Sequence, residues 1–138
     1  MCSSDLYQQT GNQSETANIY NRMLSQENSP YETIKGIPEL VDTNYCYAHS
    51  YFGDQLLAQK NYQEALDHFK QAAERLERWR KGGQFLQIAK ASGMLSDKEE
   101  QEKLDLLREC YDNMATCYSE LGKYSEASDA RSLSLAVK

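Results

Sequence analysis

The sequence predicts an all-α fold of antiparallel helix pairs, on three observations. Turn chemistry is scarce, since 138 residues include only two prolines and seven glycines, whereas folds of many short strands need such residues at each turn. Apolar residues recur at three- and four-residue spacing, the period of a helix with one buried face. A short signature also returns along the chain, as Gly11-Asn12-Gln13-Ser14-Glu15-Thr16, Lys60-Asn61-Tyr62-Gln63-Glu64-Ala65 and Gly122-Lys123-Tyr124-Ser125-Glu126-Ala127. An internal repeat in a helical sequence points to stacked units of like structure.

The elements follow in order. A helix is expected over Gln13–Leu24. Ser29-Pro30-Tyr31-Glu32 is a capping box with proline at the first helical position, so a short helix should start there. Gly36-Ile37-Pro38 breaks it, and a longer helix runs from about Pro38 to Gln59. The second signature opens a helix whose stripe is Tyr62, Ala65, Leu66, Phe69, Ala72, Ala73, Leu76 and Trp79. That helix should continue past Trp79 and break near Gly82-Gly83, with Gln84–Ala91 a further helical piece and Ser92-Gly93 the reversal.

Ser96-Asp97-Lys98-Glu99 is another capping box. Leu104, Leu107, Tyr111, Met114, Tyr118 and Leu121 then keep one unbroken stripe, so a single long helix is expected over about Asp97–Leu121. Glu99, Glu100 and Glu102 near its start suit the helix dipole. The last helix, Ser125–Val137, carries Ala127, Ala130, Leu133 and Val137 on one side. The expected product is a lengthened central helical hairpin within a stack of helix pairs.

The repeated unit resembles the tetratricopeptide repeat, whose pattern runs W-x2-L-G-x2-Y, then A-x3-F, then P. Its slots hold His49, Phe52, Gly53, Leu56, Ala65 and Phe69 in the middle copy, and Tyr111, Met114, Ala115, Tyr118, Ala127 and Arg131 in the last. In the first copy Tyr7, Thr16 and Tyr20 can be placed. The tryptophan slot is filled by His49 and Tyr111, and the closing proline by Glu77 in the middle copy and Asn28 in the first. The spacing also departs from the family period of ~34 residues: Ala65 lies 49 residues after Thr16 (65 − 16), and Ala127 lies 62 after Ala65 (127 − 65).

The resemblance implies one helical repeat domain over 1–138, with a half repeat at 5–28, a repeat at about 45–80, a lengthened connection at 81–100 and a repeat at about 104–138. Such arrays need several repeats with polar caps. The chain therefore reads as a segment of a larger protein, or one whose truncated N-terminal repeat is covered by a second copy or a partner.

In this family the first helices of successive repeats line a concave groove that receives peptides. Carried across residue by residue, that groove is Tyr47, Ser50, Tyr51, Asp54 and Leu57 from the middle repeat. The last repeat supplies Glu109, Asp112, Asn113, Thr116 and Ser119, with Glu120 at the edge. The family's carboxylate clamp for acidic chaperone tails needs lysine, asparagine and arginine. Asn113 stands where one clamp asparagine would, but Ser50 and Asp54 replace the expected lysine and first asparagine, and the last repeat presents carboxylates. An acidic peptide would be repelled, so the expected ligand is a basic or amphipathic peptide or helical segment, with Tyr47 and Tyr51 as aromatic contacts.

Composition narrows the function classes. Hydrophobic residues are 40% and charged residues 26%, the mean hydropathy is −0.78, and no apolar run nears the ~20 residues of a membrane span. Met1-Cys2-Ser3-Ser4-Asp5 has neither the basic nor the apolar region of a signal peptide. A net charge of −6 argues against nucleic acid or anionic membrane as principal ligand. The cysteines Cys2, Cys46, Cys110 and Cys117 lack paired metal spacing, which favours a reducing, cytoplasmic setting.

Local constellations add no chemistry. Cys46 and His49 are three apart, but no second close pair completes the three or four ligands of a zinc site. The basic cluster Arg75, Arg78, Arg80 and Lys81 is interleaved with Glu74 and Glu77, a salt-bridged helix surface. Trp79 beside it should pack against the helix carrying Leu104 and Leu107. No phosphate loop, Ser-His-Asp set or H-E-x-x-H occurs. The expectation is a non-catalytic protein–protein interaction scaffold with no cofactor or metal. The alternatives are an immunophilin-type co-chaperone module or an architectural subunit of a ribonucleoprotein or trafficking complex.

Overall fold

The computed structural model describes residues 13–25, 38–81, 83–93 and 95–137. These are all-α: α1 (Gln13–Ser25), α2 (Pro38–Ala58), α3 (Tyr62–Arg80), α4 (Gly83–Ala91), α5 (Asp97–Glu120) and α6 (Tyr124–Ala136). No strand occurs among the described residues. The expected helix start at Ser29, the break at Gly36-Ile37 and the first-copy residues Tyr7 and Gly11 lie outside them.

Two compact units divide the chain, residues 1–36 and 37–138. Within the first, α1 has Glu15 in its first turn and Arg22 in its last, the order that suits a helix dipole. The Ser25 hydroxyl closes its last turn on the Arg22 carbonyl at 2.7 Å.

Within the second unit, consecutive long helices run antiparallel. Tyr45 and His49 on α2 meet Arg75 and His68 on α3. Lys70 and Glu77 on α3 meet Tyr118 and Tyr111 on α5. Arg108 on α5 donates to the carbonyl of Val137 just past the end of α6, and Ser119 on α5 accepts from Arg131 in the middle of α6. Because α3 is antiparallel to both neighbours, α2 and α5 point the same way, and they approach where Asn113 reaches Asp54.

The core is the pair of stripes read from the periodicity. Ala65, Leu66, Phe69, Ala72, Ala73, Leu76 and Trp79 are buried on α3, against Leu104, Leu107, Cys110, Tyr111, Met114, Ala115 and Cys117 on α5. Trp79 joins Leu104 and Leu107 in this core. Burying the largest of these, Leu66, Phe69, Leu76 and Leu107, contributes ~1.5–3 kcal/mol each.

The second and third copies of the signature adopt the same turn. Asn61 N–H bonds the Leu56 carbonyl at 2.9 Å, and Lys123 N–H bonds that of Tyr118 at 2.8 Å. Lys60 N–H reaches Leu57 and Gly122 N–H reaches Ser119, at 3.0 and 3.1 Å. Each is a helix C-terminus closed through a left-handed residue, Lys60 at φ 63° and Gly122 at φ 77°. Ala65 N–H and Ala127 N–H then start the next helices on the carbonyls of Asn61 and Lys123, both at 3.0 Å.

Packing depends on one close approach. A Cβ placed on Gly53 would lie 2.7 Å from the Phe69 ring, so α2 and α3 touch there only because glycine has no side chain. Ser96 caps α5 as expected, its hydroxyl accepting from the Glu99 N–H at 3.1 Å. The α3 helix ends at Arg80, with Lys81 as its C-cap, and α4 is a separate piece that begins at Gly83.

Candidate functional site

The neighbouring α2 and α5 present most of the side chains assigned to the groove. Tyr47 is 40% exposed, and Asp54, Glu109, Asp112, Thr116 and Glu120 are also exposed. Tyr51 is half-buried, its ring edge-on to Phe52 at 5.2 Å. Leu57 packs partly against the core. Ser50 is buried, 7% exposed, with its hydroxyl in hydrogen-bond reach of the Cys110 thiol. It therefore braces α2 against α5, and a ligand would not meet it.

Asp54 is where the two helices join. Asn113 Nδ2 donates to its Oδ1 at 3.5 Å, a long contact that leaves the carboxyl largely uncompensated. Although the residue is solvent-accessible, its carboxyl end loses water beside α5, and Glu109 adds like-charge repulsion. Together they hold Asp54 at about 6, above the ordinary carboxylate value of 3.8. Asp54, Glu109 and Asn113 thus form the middle of the shared face.

The far end of that face is partly engaged. Arg131 Nη2 donates to Ser119 Oγ at 3.1 Å, and Thr116 Oγ1 donates to the Asp112 carbonyl at 3.2 Å. Arg131 stands where the middle copy has the buried Phe69, and it lies exposed on α6.

The thiols beneath this face stay protonated. Burial, with Cys46, Glu109 and Asp54 near, pushes Cys110 well above the usual thiol range. Burial also pushes Cys117 up to about 11. Thiolate is the reactive form, so at neutral pH both act as small packing groups.

Two arrangements escaped the sequence. Sequence spacing sets His49 one turn from Cys46, yet it meets His68 of α3 across the hairpin, Nδ1 to Nδ1 at 3.0 Å. No three His, Cys, Asp or Glu side chains converge as a metal-ligand group among the described residues. The other is an open groove of about 550 Å³ between α3 and α5, lined by Lys70, Ala73, Glu74, Glu77, Arg78, Tyr111 and Met114. Its signal was the interleaving of Lys70, Glu74, Glu77 and Arg78 at helical spacing, which charge patterning alone reads as a solvated face.

The basic cluster is dispersed by the fold. Arg75 is buried with its guanidinium 4.6 Å from the Tyr45 ring, Arg80 pairs with Glu77 at 3.1 Å, and Arg78 borders the α3–α5 groove. No helix among the described residues is long and apolar enough to cross a membrane. Comparison of the chain with protein-family models, curated proteins and solved structures found no match.

Proposed function

We propose that the chain is a non-catalytic protein–protein interaction module, a tetratricopeptide-like stack whose α2–α5 face receives a basic or amphipathic segment of a partner. The observation that carries this reading is the adjacency of two parallel helices that expose Asp54, Glu109 and Asp112 beside Tyr47. The identical turns closed by Lys60 and Gly122 support the repeat interpretation, as does the Gly53–Phe69 approach.

Carboxylates that already repel one another gain from a cation placed between them. A lysine or arginine near Asp54 and Glu109 would relieve that repulsion and bring partly desolvated charge pairs together. Tyrosine supplies contact area at low entropic cost, which is why it is frequent in interface hot spots. A reducing, cytoplasmic setting belongs to the same reading and rests on the cysteine spacing.

The test is fluorescence anisotropy with two labelled helical peptides of equal length and opposite charge, one built on leucine and lysine, the other on leucine and glutamate. The reading expects the lysine peptide to bind and to weaken as salt is added. Preference for the glutamate peptide, or salt-strengthened binding, would overturn it.

A further inference from the structure

We propose that two copies of the chain associate through mutual docking of α1, the Glu15–Ile19–Arg22 face of each copy seating in the α3–α5 groove of the other. These three residues are spaced i, i+4 and i+7, so they form one stripe along α1. All three are exposed, Ile19 at 47%, whereas Ala17, Tyr20 and Leu24 on the opposite side are half-buried. The stripe runs negative, apolar, positive from its N-terminal end. Neither Glu15 nor Arg22 forms a side-chain ion pair among the described residues.

Along α3 the groove presents the opposite order. Lys70 stands at one end, Glu77 seven residues on, and Ala73 and Glu74 between them. Tyr118 meets Lys70 and Tyr111 meets Glu77, so Met114 of the antiparallel α5 lies level with Glu74 and floors the middle. Ala73 and Met114 are buried, while Lys70 and Glu74 are exposed.

The two stripes match in length as well as in charge. At a rise of 1.5 Å per residue, Glu15 to Arg22 and Lys70 to Glu77 each span ~10.5 Å. Set parallel to α3, α1 brings Glu15 to Lys70, Ile19 over Ala73 and Met114, and Arg22 to Glu74 and Glu77 in a single register. Turned end for end, it would set Arg22 against Lys70 and Glu15 against Glu77, like charges at both ends. Glu77 already holds Tyr111 and Arg80. Glu74 has no ion pair among the described residues and is the open acceptor for Arg22.

Each copy carries both halves of this contact, so mutual docking uses it twice and closes a two-fold dimer. One helix face is small beside the ~800 Å² per partner of a standard interface, and its duplication gives a dimer that depends on concentration. The contact uses none of the α2–α5 residues to which partner binding is assigned above.

The experiment is sedimentation velocity on the full chain at rising concentration, for the parent, for Glu15→Lys, for Lys70→Glu and for an equimolar mixture of the two variants. Circular dichroism checks each fold. The parent is expected to pass from monomer to dimer, less readily as salt is added. Each variant alone should raise the dissociation constant at least ~fivefold, because the pair occurs twice and reversal turns attraction into repulsion. The mixture should recover the parent's affinity, since the altered α1 of one variant meets the altered groove of the other and the two unaltered halves also meet. A parent that stays monomeric up to millimolar concentration overturns the proposal. So does a dimer indifferent to both substitutions, or a mixture no tighter than its components. Glu15→Lys and Ile19→Ser change exposed positions of α1 and carry the test even where Lys70→Glu does not fold.

Discussion

The Tyr111 hydroxyl donates to Glu77 Oε1 at 2.8 Å across the α3–α5 interface. Glu77 also receives Arg80 at 3.1 Å, so one carboxylate ties the end of α3 to the middle of α5. Burial and this bond to Glu77 raise the Tyr111 phenol well above the usual tyrosine range. In the repeat pattern these two residues fill the tryptophan and proline slots. Two of the departures from that pattern, Glu77 of the middle copy and Tyr111 of the last, thus meet in space and satisfy each other.

Removing the hydroxyl tests that link. Tyr111→Phe keeps the ring in the core and leaves Glu77 with Arg80 alone. A hydrogen bond to a charged, partly buried group contributes ~1.5–3 kcal/mol, and the partial exposure of Glu77 places the expected loss near ~1 kcal/mol. Urea unfolding of the two chains at pH 7.5 measures it.

Gly53→Ala tests the closest approach of α2 and α3. The added methyl lies 2.7 Å from the Phe69 ring, so one helix must move or Phe69 must leave its rotamer. Overpacking of this kind costs ~1–3 kcal/mol. Combining it with Phe69→Leu should cost less than the two changes summed, and a double-mutant cycle on unfolding free energies reads the coupling.

The two matched turns give a paired prediction. Lys60 holds a left-handed backbone where Gly122 sits in the equivalent turn. Lys60→Gly should stabilise by up to ~1 kcal/mol and Gly122→Ala should destabilise by about as much, since a Cβ there costs ~1–2 kcal/mol and glycine's extra freedom offsets part of it. Thermal unfolding of both variants checks the opposite signs.

How much of this the sequence disclosed depends on the interaction's range. The stripe from Tyr62 to Trp79, the Ser96 cap and the long α5 were legible because spacing along one helix determines them. The Lys60 and Gly122 turns were visible as a repeated word, though not as left-handed residues. Ser50 looked like a groove residue because its slot faces solvent in the family pattern, yet here α5 comes close enough to bury it. His68 was not legible as the partner of His49, because only the crossing of α2 and α3 sets which side chains meet. Glu77 and Tyr111 likewise read as departures until the helices were assembled.

Asp54 predicts a pH effect of defined sign. Its carboxyl is held at about 6 in the fold against 3.8 ordinarily, so the folded state retains its proton more tightly across that interval. Stability attributable to Asp54 is therefore present at low pH and lost as pH rises through about 6. Asp54→Asn should unfold at higher urea than the parent at pH 7.5, with the advantage disappearing near pH 4. An advantage that instead grows toward pH 4 would contradict the assignment.

The groove reading is tested most directly by charge reversal on the exposed face. Affinity of the labelled leucine–lysine peptide is measured for the parent chain and for Asp112→Lys, whose site is exposed on α5 and whose fold is checked by circular dichroism. The expected result is binding by the parent and at least a severalfold weakening in the variant, with the leucine–glutamate peptide gaining in its place. Equal affinity of both chains for the lysine peptide, or no binding by the parent at low salt, would contradict the account.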